Sequence, residues 1–217
     1  MELKGKRIGF LGDSITEGHG VAESENIFWN RIQRDTGAVC FGYGIGGTRI
    51  APQHSKDNAD WERWFASRVD EMEENLDAIV VFGGTNDYGH GDAPLGTMAD
   101  RDDSSFYGAY HVLLNKLFER YPTAQVVIMT PLHRLGEDNC TYNEFGVRRQ
   151  TNLKGYVDAI IEVAAYYSVP VLDLFRVGGI NPVVPVQKEL YMPDGLHPND
   201  AGHECIAQRL TGFLRSL

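Results

Sequence analysis

Four short segments of this chain carry residue types and spacings suited to acyl transfer. Gly12-Asp13-Ser14-Ile15-Thr16 presents a serine directly after an apolar run. Alone it reads as a turn in which Asp13 or Ser14 caps a helix. With a base nearby, the same hydroxyl becomes a nucleophile, because an unassisted serine is a poor one near neutral pH. Asp194-Gly195-Leu196-His197-Pro198 supplies such a base, with a carboxylate three residues earlier that a turn can set against the imidazole. Alone, this segment reads as a helix start, with Pro198 in the first turn and His197 as cap.

Two glycine-rich segments complete the set. Gly83-Gly84-Thr85-Asn86-Asp87 follows the most apolar run, and an asparagine amide at a strand end can donate to a developing oxyanion. Otherwise it is a common glycine turn. Gly42-Tyr43-Gly44-Ile45-Gly46-Gly47-Thr48 matches the dinucleotide pattern G-x-G-x-x-G. That fingerprint normally opens a helix after the first strand, whereas Pro52 and polar residues follow here. A loop offering a backbone N–H beside the serine fits better, since Gly46 and Gly47 let a substrate approach the main chain.

The elements that must position these segments follow from hydrophobic patterning. Near-continuous apolar runs at Arg7–Leu11, Asp77–Phe82, Gln125–Thr130 and Val169–Phe175 predict strands buried on both faces, with Ala38–Phe41 as a fifth. Helical stripes lie between them: Phe106, Tyr110, Leu113, Leu114, Leu117 and Phe118; Leu153, Val157, Ile160, Ile161 and Ala164; Trp61, Phe65, Val69, Met72 and Leu76; and Ile206, Leu210 and Leu214. A short suggestive pattern covers Ile27–Ile32. The tryptophans Trp61 and Trp64 read as packing. This alternation predicts an open α/β/α sandwich in a single domain over residues 1–217, with the site beyond the C-terminal strand ends. Arg176–Leu196 lacks periodicity and is expected to be a long loop.

Composition narrows the partners. The 217 residues carry a formal net charge of −10, with 42% hydrophobic and 23% charged residues. An acidic chain argues against nucleic acid or an anionic membrane as the main partner. No apolar run reaches the length of a membrane span, and the N-terminal run is too short for a signal-peptide core. Cys40, Cys140 and Cys205 fit no metal or redox spacing, so a reducing cytoplasm is expected, with no cofactor. The chain specifies no oligomeric state.

Taken together, the four segments resemble the blocks of the SGNH, or GDSL, lipase/esterase family, from Gly12 to His197. The resemblance implies a flavodoxin-like three-layer sandwich with a mostly parallel five-stranded sheet. It implies Ser14 as nucleophile, His197 as general base and acid, and Asp194 as orienter. It further implies an oxyanion hole from the Ser14 N–H, a glycine N–H at Gly47 (Gly46 the lesser choice) and the Asn86 amide. The chain departs at Gly42, where many members carry asparagine. Metals are not implied; His54 with Asp57, or His90 with Asp92, shows no established ligand spacing.

Loops after the strands offer Arg49, Tyr88, His90, His133, Arg134 and Tyr142 as candidate substrate contacts, and Asp13 joins them. Such polar and aromatic groups favour a small-molecule acyl ester, with a short acyl group on a sugar-like alcohol. A lysophospholipase or thioesterase, an acyl transferase to an alcohol, and a non-catalytic binding protein on the same fold are the alternatives.

Overall fold

The computed structural model describes residues 1–53, 62–143 and 146–217. Five strands form one sheet: β1 (Arg7–Gly12), β2 (Val39–Gly44), β3 (Ala78–Phe82), β4 (Gln125–Met129) and β5 (Val171–Leu172). Their order is β2-β1-β3-β4-β5, and every pairing is parallel. The helices are α1 (Ser14–Glu17), α2 (Phe28–Thr36), α3 (Thr85–His90), α4 (Phe106–Arg120), α5 (Leu153–Tyr166), α6 (Leu174–Val177), α7 (Pro185–Tyr191) and α8 (Asp200–Ser216).

Alternating strand side chains divide the core. Leu11, Ile79, Val81, Val126 and Ile128 pack on one face with residues of α4 and α5, among them Leu113, Leu117, Ile160 and Val163. Ile8, Phe10, Val80, Val127 and Met129 pack on the other with Phe28 and Ile32 of α2 and Ile206, Leu210 and Leu214 of α8. This is the expected three-layer α/β/α sandwich. Strand order reverses between β1 and β3, so their C-terminal ends flank the crevice where such sheets place ligands.

Several expectations need correction. The faint fifth run is a full six-residue strand, β2, whereas the run ending in Phe175 yields a strand of only two residues. The chain leaves the sheet early because the Asp173 side chain caps α6, accepting from Arg176 N–H and from the Thr130 hydroxyl (2.9 Å). The Phe65–Leu76 stripe forms a 3-10 helix over Phe65–Glu71, and Met72 then turns extended; Trp61 lies outside the described residues. Arg176–Leu196 is no structureless loop, for it holds α7. None of the α7 residues is buried, so no apolar stripe announced it. Pro198 precedes α8 rather than starting it, because the Asn199 side chain caps the helix by accepting from Ala201 and Gly202.

Candidate active site

Ser14 is the first residue of α1, directly beyond β1. The Asp13 carboxylate accepts from Ile15 N–H at 3.0 Å, which fixes the turn. Ser14 N–H, at the open start of the helix, has no intrahelical acceptor. Behind it, the Ser14 carbonyl accepts from Gly18 N–H (3.0 Å) and His19 N–H (2.8 Å), closing a compact loop.

The Asp194–His197 segment reaches Ser14 from the other end of the chain. Asp194 Oδ1 accepts from Leu196 N–H (2.8 Å) and His197 N–H (2.7 Å). Its Oδ2 lies 2.7 Å from His197 Nδ1. With the ring proton donated there, His197 Nε2 is left to accept from the Ser14 hydroxyl, 3.1 Å away. Burial pushes the Asp194 carboxyl up, but hydrogen bonds from the His197 N–H and ring and from Leu196 outweigh it. The group stays below the ordinary carboxylate value. The outer face of His197 is covered by His19, with ring centroids 4.3 Å apart.

The glycine segment after β2 curls over the same spot. Gly44 sits so close to α1 that an added Cβ would lie 2.1 Å from Glu17 N. Gly46 N–H donates to Glu17 Oε2 at 2.8 Å. Gly47, with φ of 74°, has no acceptor for its own N–H among the described residues. Of the two glycines, Gly47 is therefore the one with a donor to spare. No helix follows in the described residues through Gln53, so the G-x-G-x-x-G match lacks the context of a dinucleotide site.

Asn86 lies at the second position of α3, beyond β3. It is buried, and its Nδ2 donates one proton to the Thr48 carbonyl at 3.0 Å. The amide has a second proton for another acceptor. Asp87 points the other way and accepts from Ile50 N–H (3.0 Å) and Ala51 N–H (2.9 Å), pinning the loop beyond Gly47. Burial raises the Asp87 carboxyl to about 6 and that of Asp13 to about 7.

Most of the candidate substrate contacts are corrected by burial. Asp13, Arg49 and Tyr88 are each 1% exposed, so they support loops from beneath instead of lining a surface. Arg49 donates to the Gly47 carbonyl (3.3 Å) and contacts His90 Nδ1 (3.1 Å). The Tyr88 hydroxyl donates to the Gly136 and Asn139 carbonyls. His90 is buried, and burial together with Arg49 pushes its imidazole down to about 4. Arg134 is engaged with Thr85, through the carbonyl (3.1 Å) and hydroxyl (3.3 Å). His133 is half-buried against Glu137 Oε1 (2.7 Å) and the Phe175 ring, in a recess with Lys154, Asp158 and Arg176. Tyr142 is exposed.

His54 and Asp57 lie outside the described residues, among which no group of three or more His, Cys, Asp or Glu side chains could hold a metal ion. No helix among the described residues is long and apolar enough to cross a membrane.

Four residues at the site were not singled out from the sequence: Glu17, His19, Thr48 and Arg68. Glu17 and His19 follow Ser14 by three and five positions on one turn, a spacing that would have identified them. Thr48 gave no signal beyond adjoining the glycines, and Arg68 is hidden inside an apolar stripe.

Comparison with known proteins identifies the fold and the family. A crystal structure of a Lactobacillus plantarum protein is 34% identical, with a TM-score of 0.82 over 98% of each chain. An acetyl xylan esterase shares the fold at 23% identity, with a TM-score of 0.67 over 96% of this chain and 99% of its own. A two-domain esterase active on acetylated mannans, co-crystallised with mannopentaose, does so at 19% identity and a TM-score of 0.63. That match covers 99% of this chain and 50% of the esterase. No curated protein sequence matches. The family model of the GDSL-like lipases and acylhydrolases matches residues 10–205, a span that contains all four segments, and to that family this chain belongs.

Proposed function

We propose that the chain is a serine ester hydrolase, residues 1–217 acting as one catalytic domain on a small or short-chain acyl ester. Ser14 is the nucleophile, His197 the general base and acid, and Asp194 the group that orients and stabilises its imidazolium. The observation that carries this reading is the unbroken contact chain from Ser14 Oγ through His197 to Asp194, at 3.1 Å and 2.7 Å. Ser14 attacks the ester carbonyl while His197 takes its proton. The oxyanion is met by the Ser14 and Gly47 N–H groups and the second Asn86 amide proton. His197 then protonates the leaving alcohol, and water releases the acyl group by the reverse path.

The favoured substrate is an O-acetylated carbohydrate. Its support is the fold shared with esterases described as acting on acetylated xylan and acetylated mannans. The three free cysteines fit a reducing cytoplasm.

The test is hydrolysis of p-nitrophenyl esters from acetate to decanoate, and of acetylated xylo- and manno-oligosaccharides, by wild type and Ser14→Ala. Turnover of short esters that disappears in the variant is expected. Equal rates in the two proteins would overturn the serine mechanism, and a decanoate optimum would overturn the short-acyl assignment.

A further inference from the structure

Arg68 is a guanidinium sealed in the protein, 2% exposed, on the 3-10 helix that precedes β3. No carboxylate lies within ion-pair distance of it among the described residues. Burying a cation without such a partner is expensive, so the acceptors it does reach are informative. All three lie at the strand ends and loop that build the candidate site. Nη1 donates to the Tyr43 carbonyl at 2.5 Å, near the end of β2. Nη2 donates to the Gly12 carbonyl at 3.0 Å, two residues before Ser14. The same nitrogen donates to Thr48 Oγ1 at 3.0 Å, one residue after Gly47.

Thr48 continues the chain of contacts. Its hydroxyl donates to the Ile45 carbonyl (2.7 Å), across the turn that carries Gly46 and Gly47. Its carbonyl accepts from Asn86 Nδ2 (3.0 Å), which sets the direction of the remaining amide proton. The guanidinium also lies over the Phe65 ring at 4.9 Å, so its plane is held from below. A lysine ammonium, a point charge on a flexible stem, cannot satisfy three carbonyl and hydroxyl acceptors with this planar geometry.

We infer that Arg68 is the positioning residue of the oxyanion hole, acting through Thr48 to hold Gly47 and Asn86 in register with Ser14. This rests on the serine-hydrolase reading and deepens it. Arg68 touches no substrate; its effect is on how well the donors meet charge that develops in the transition state. Loss of it should therefore lower kcat and leave KM nearly unchanged.

The experiment compares Thr48→Val, Thr48→Ser, Arg68→Lys, Asn86→Ala and the double variant Thr48→Val/Asn86→Ala. Steady-state hydrolysis of p-nitrophenyl acetate gives kcat and KM, and the rate of Ser14 labelling by a fluorophosphonate gives a second readout. Circular dichroism and thermal melting establish which variants are folded. Thr48→Val should lose on the order of tenfold to a hundredfold in kcat, a fraction of what removing an oxyanion donor itself costs. Thr48→Ser, which keeps the hydroxyl, should recover most of that loss. Arg68→Lys should fall at least as far as Thr48→Val while folded. If it does not fold, the threonine pair still decides. The double variant should be slower than Asn86→Ala, but by clearly less than the loss Thr48→Val causes alone, because Thr48 acts partly through Asn86 and partly through Gly47.

A wild-type kcat in Thr48→Val, a loss confined to KM, or fully additive effects in the double variant would overturn the inference. Equal labelling rates in wild type and Thr48→Val would do the same while leaving the hydrolase reading intact. Absence of both turnover and labelling in wild type would overturn the two together.

Discussion

Replacing His203 with glutamine gives a direct measure of how the layer beneath the candidate site is held. His203 lies in the first turn of α8, is fully buried, and accepts from Phe28 N–H through Nδ1 at 3.2 Å. Its Nε2 has no partner among the described residues, and its ring stacks on Phe28 with centroids 5.9 Å apart. Burial, helped by the nearby charge of Arg31, pushes the imidazole from 6.5 down to about 4. In the unfolded chain it takes up a proton near 6.5. The unfolded state therefore binds more protons between these values. The stability held above pH 6.5 drains away as pH falls to about 4, by about 3 kcal/mol.

Glutamine keeps an acceptor for Phe28 N–H and does not titrate, at the loss of ring stacking, about 1 kcal/mol. Wild type should lead by about 1 kcal/mol at pH 7.5, the two should cross near about pH 6, and glutamine should lead by about 2 kcal/mol at pH 4. His90 is present in both proteins and drops out of the difference. Urea unfolding followed by far-UV circular dichroism at four pH values between 7.5 and 4 reads this directly. A difference that stays constant with pH would refute the reasoning, because it would mean that His203 binds protons equally well folded and unfolded.

Three further outcomes follow from other residues. Asn86→Ala should lower kcat on p-nitrophenyl acetate by about a hundredfold to a thousandfold in a normally folded protein; a loss under about threefold would remove it from the oxyanion hole. Asp13→Asn should show the opposite pH trend to His203. The buried carboxyl titrates at about 7, so wild type loses stability as pH rises from 3.8 to about 7. The variant should gain on it by up to about 4 kcal/mol in urea melts over that range, and parallel curves would count against it. Gly44→Ala would force a Cβ to within 2.1 Å of Glu17 N, main chain that cannot rotate aside. It should cost about 3 kcal/mol and lower Tm by at least about 6 °C, and a change under about 2 °C would contradict the close approach.

The sheet was legible because β1, β3 and β4 are buried on both faces and read as unbroken apolar runs. β2 was faint because Gly42 and Gly44 replace side chains where Trp29 and α1 pack against it. α7 was silent because its apolar residues face outward, Val186 and Leu190 among them. At the candidate site, Ser14 and Asn86 are legible as motifs directly after strands, and Asp194 and His197 as a motif just before the last helix. Asp13, Arg49 and Tyr88 differ from expectation because polar residues around the strand ends are packed beneath neighbouring loops here, which a sequence does not reveal. Arg68 was missed since its acceptors, on Gly12, Tyr43 and Thr48, are brought together only by the folded sheet.

The Ser14–His197 contact joins positions 183 residues apart, while Asp194 gathers its hydrogen bonds from Leu196 and His197 of its own turn. Asp194 and His197 thus hold each other through local hydrogen bonds, while their turn is tied to the rest of the fold by Leu135 N–H donating to the Gly195 carbonyl at 2.8 Å. The serine turn and all five strands precede Asp194 in the chain, so they can be laid down before the His197 ring is there to meet the Ser14 hydroxyl. On the proposed mechanism, a growing chain would gain its reactive serine only when the turn after α7 docks against α1, and a chain cut before Asp194 would lack it.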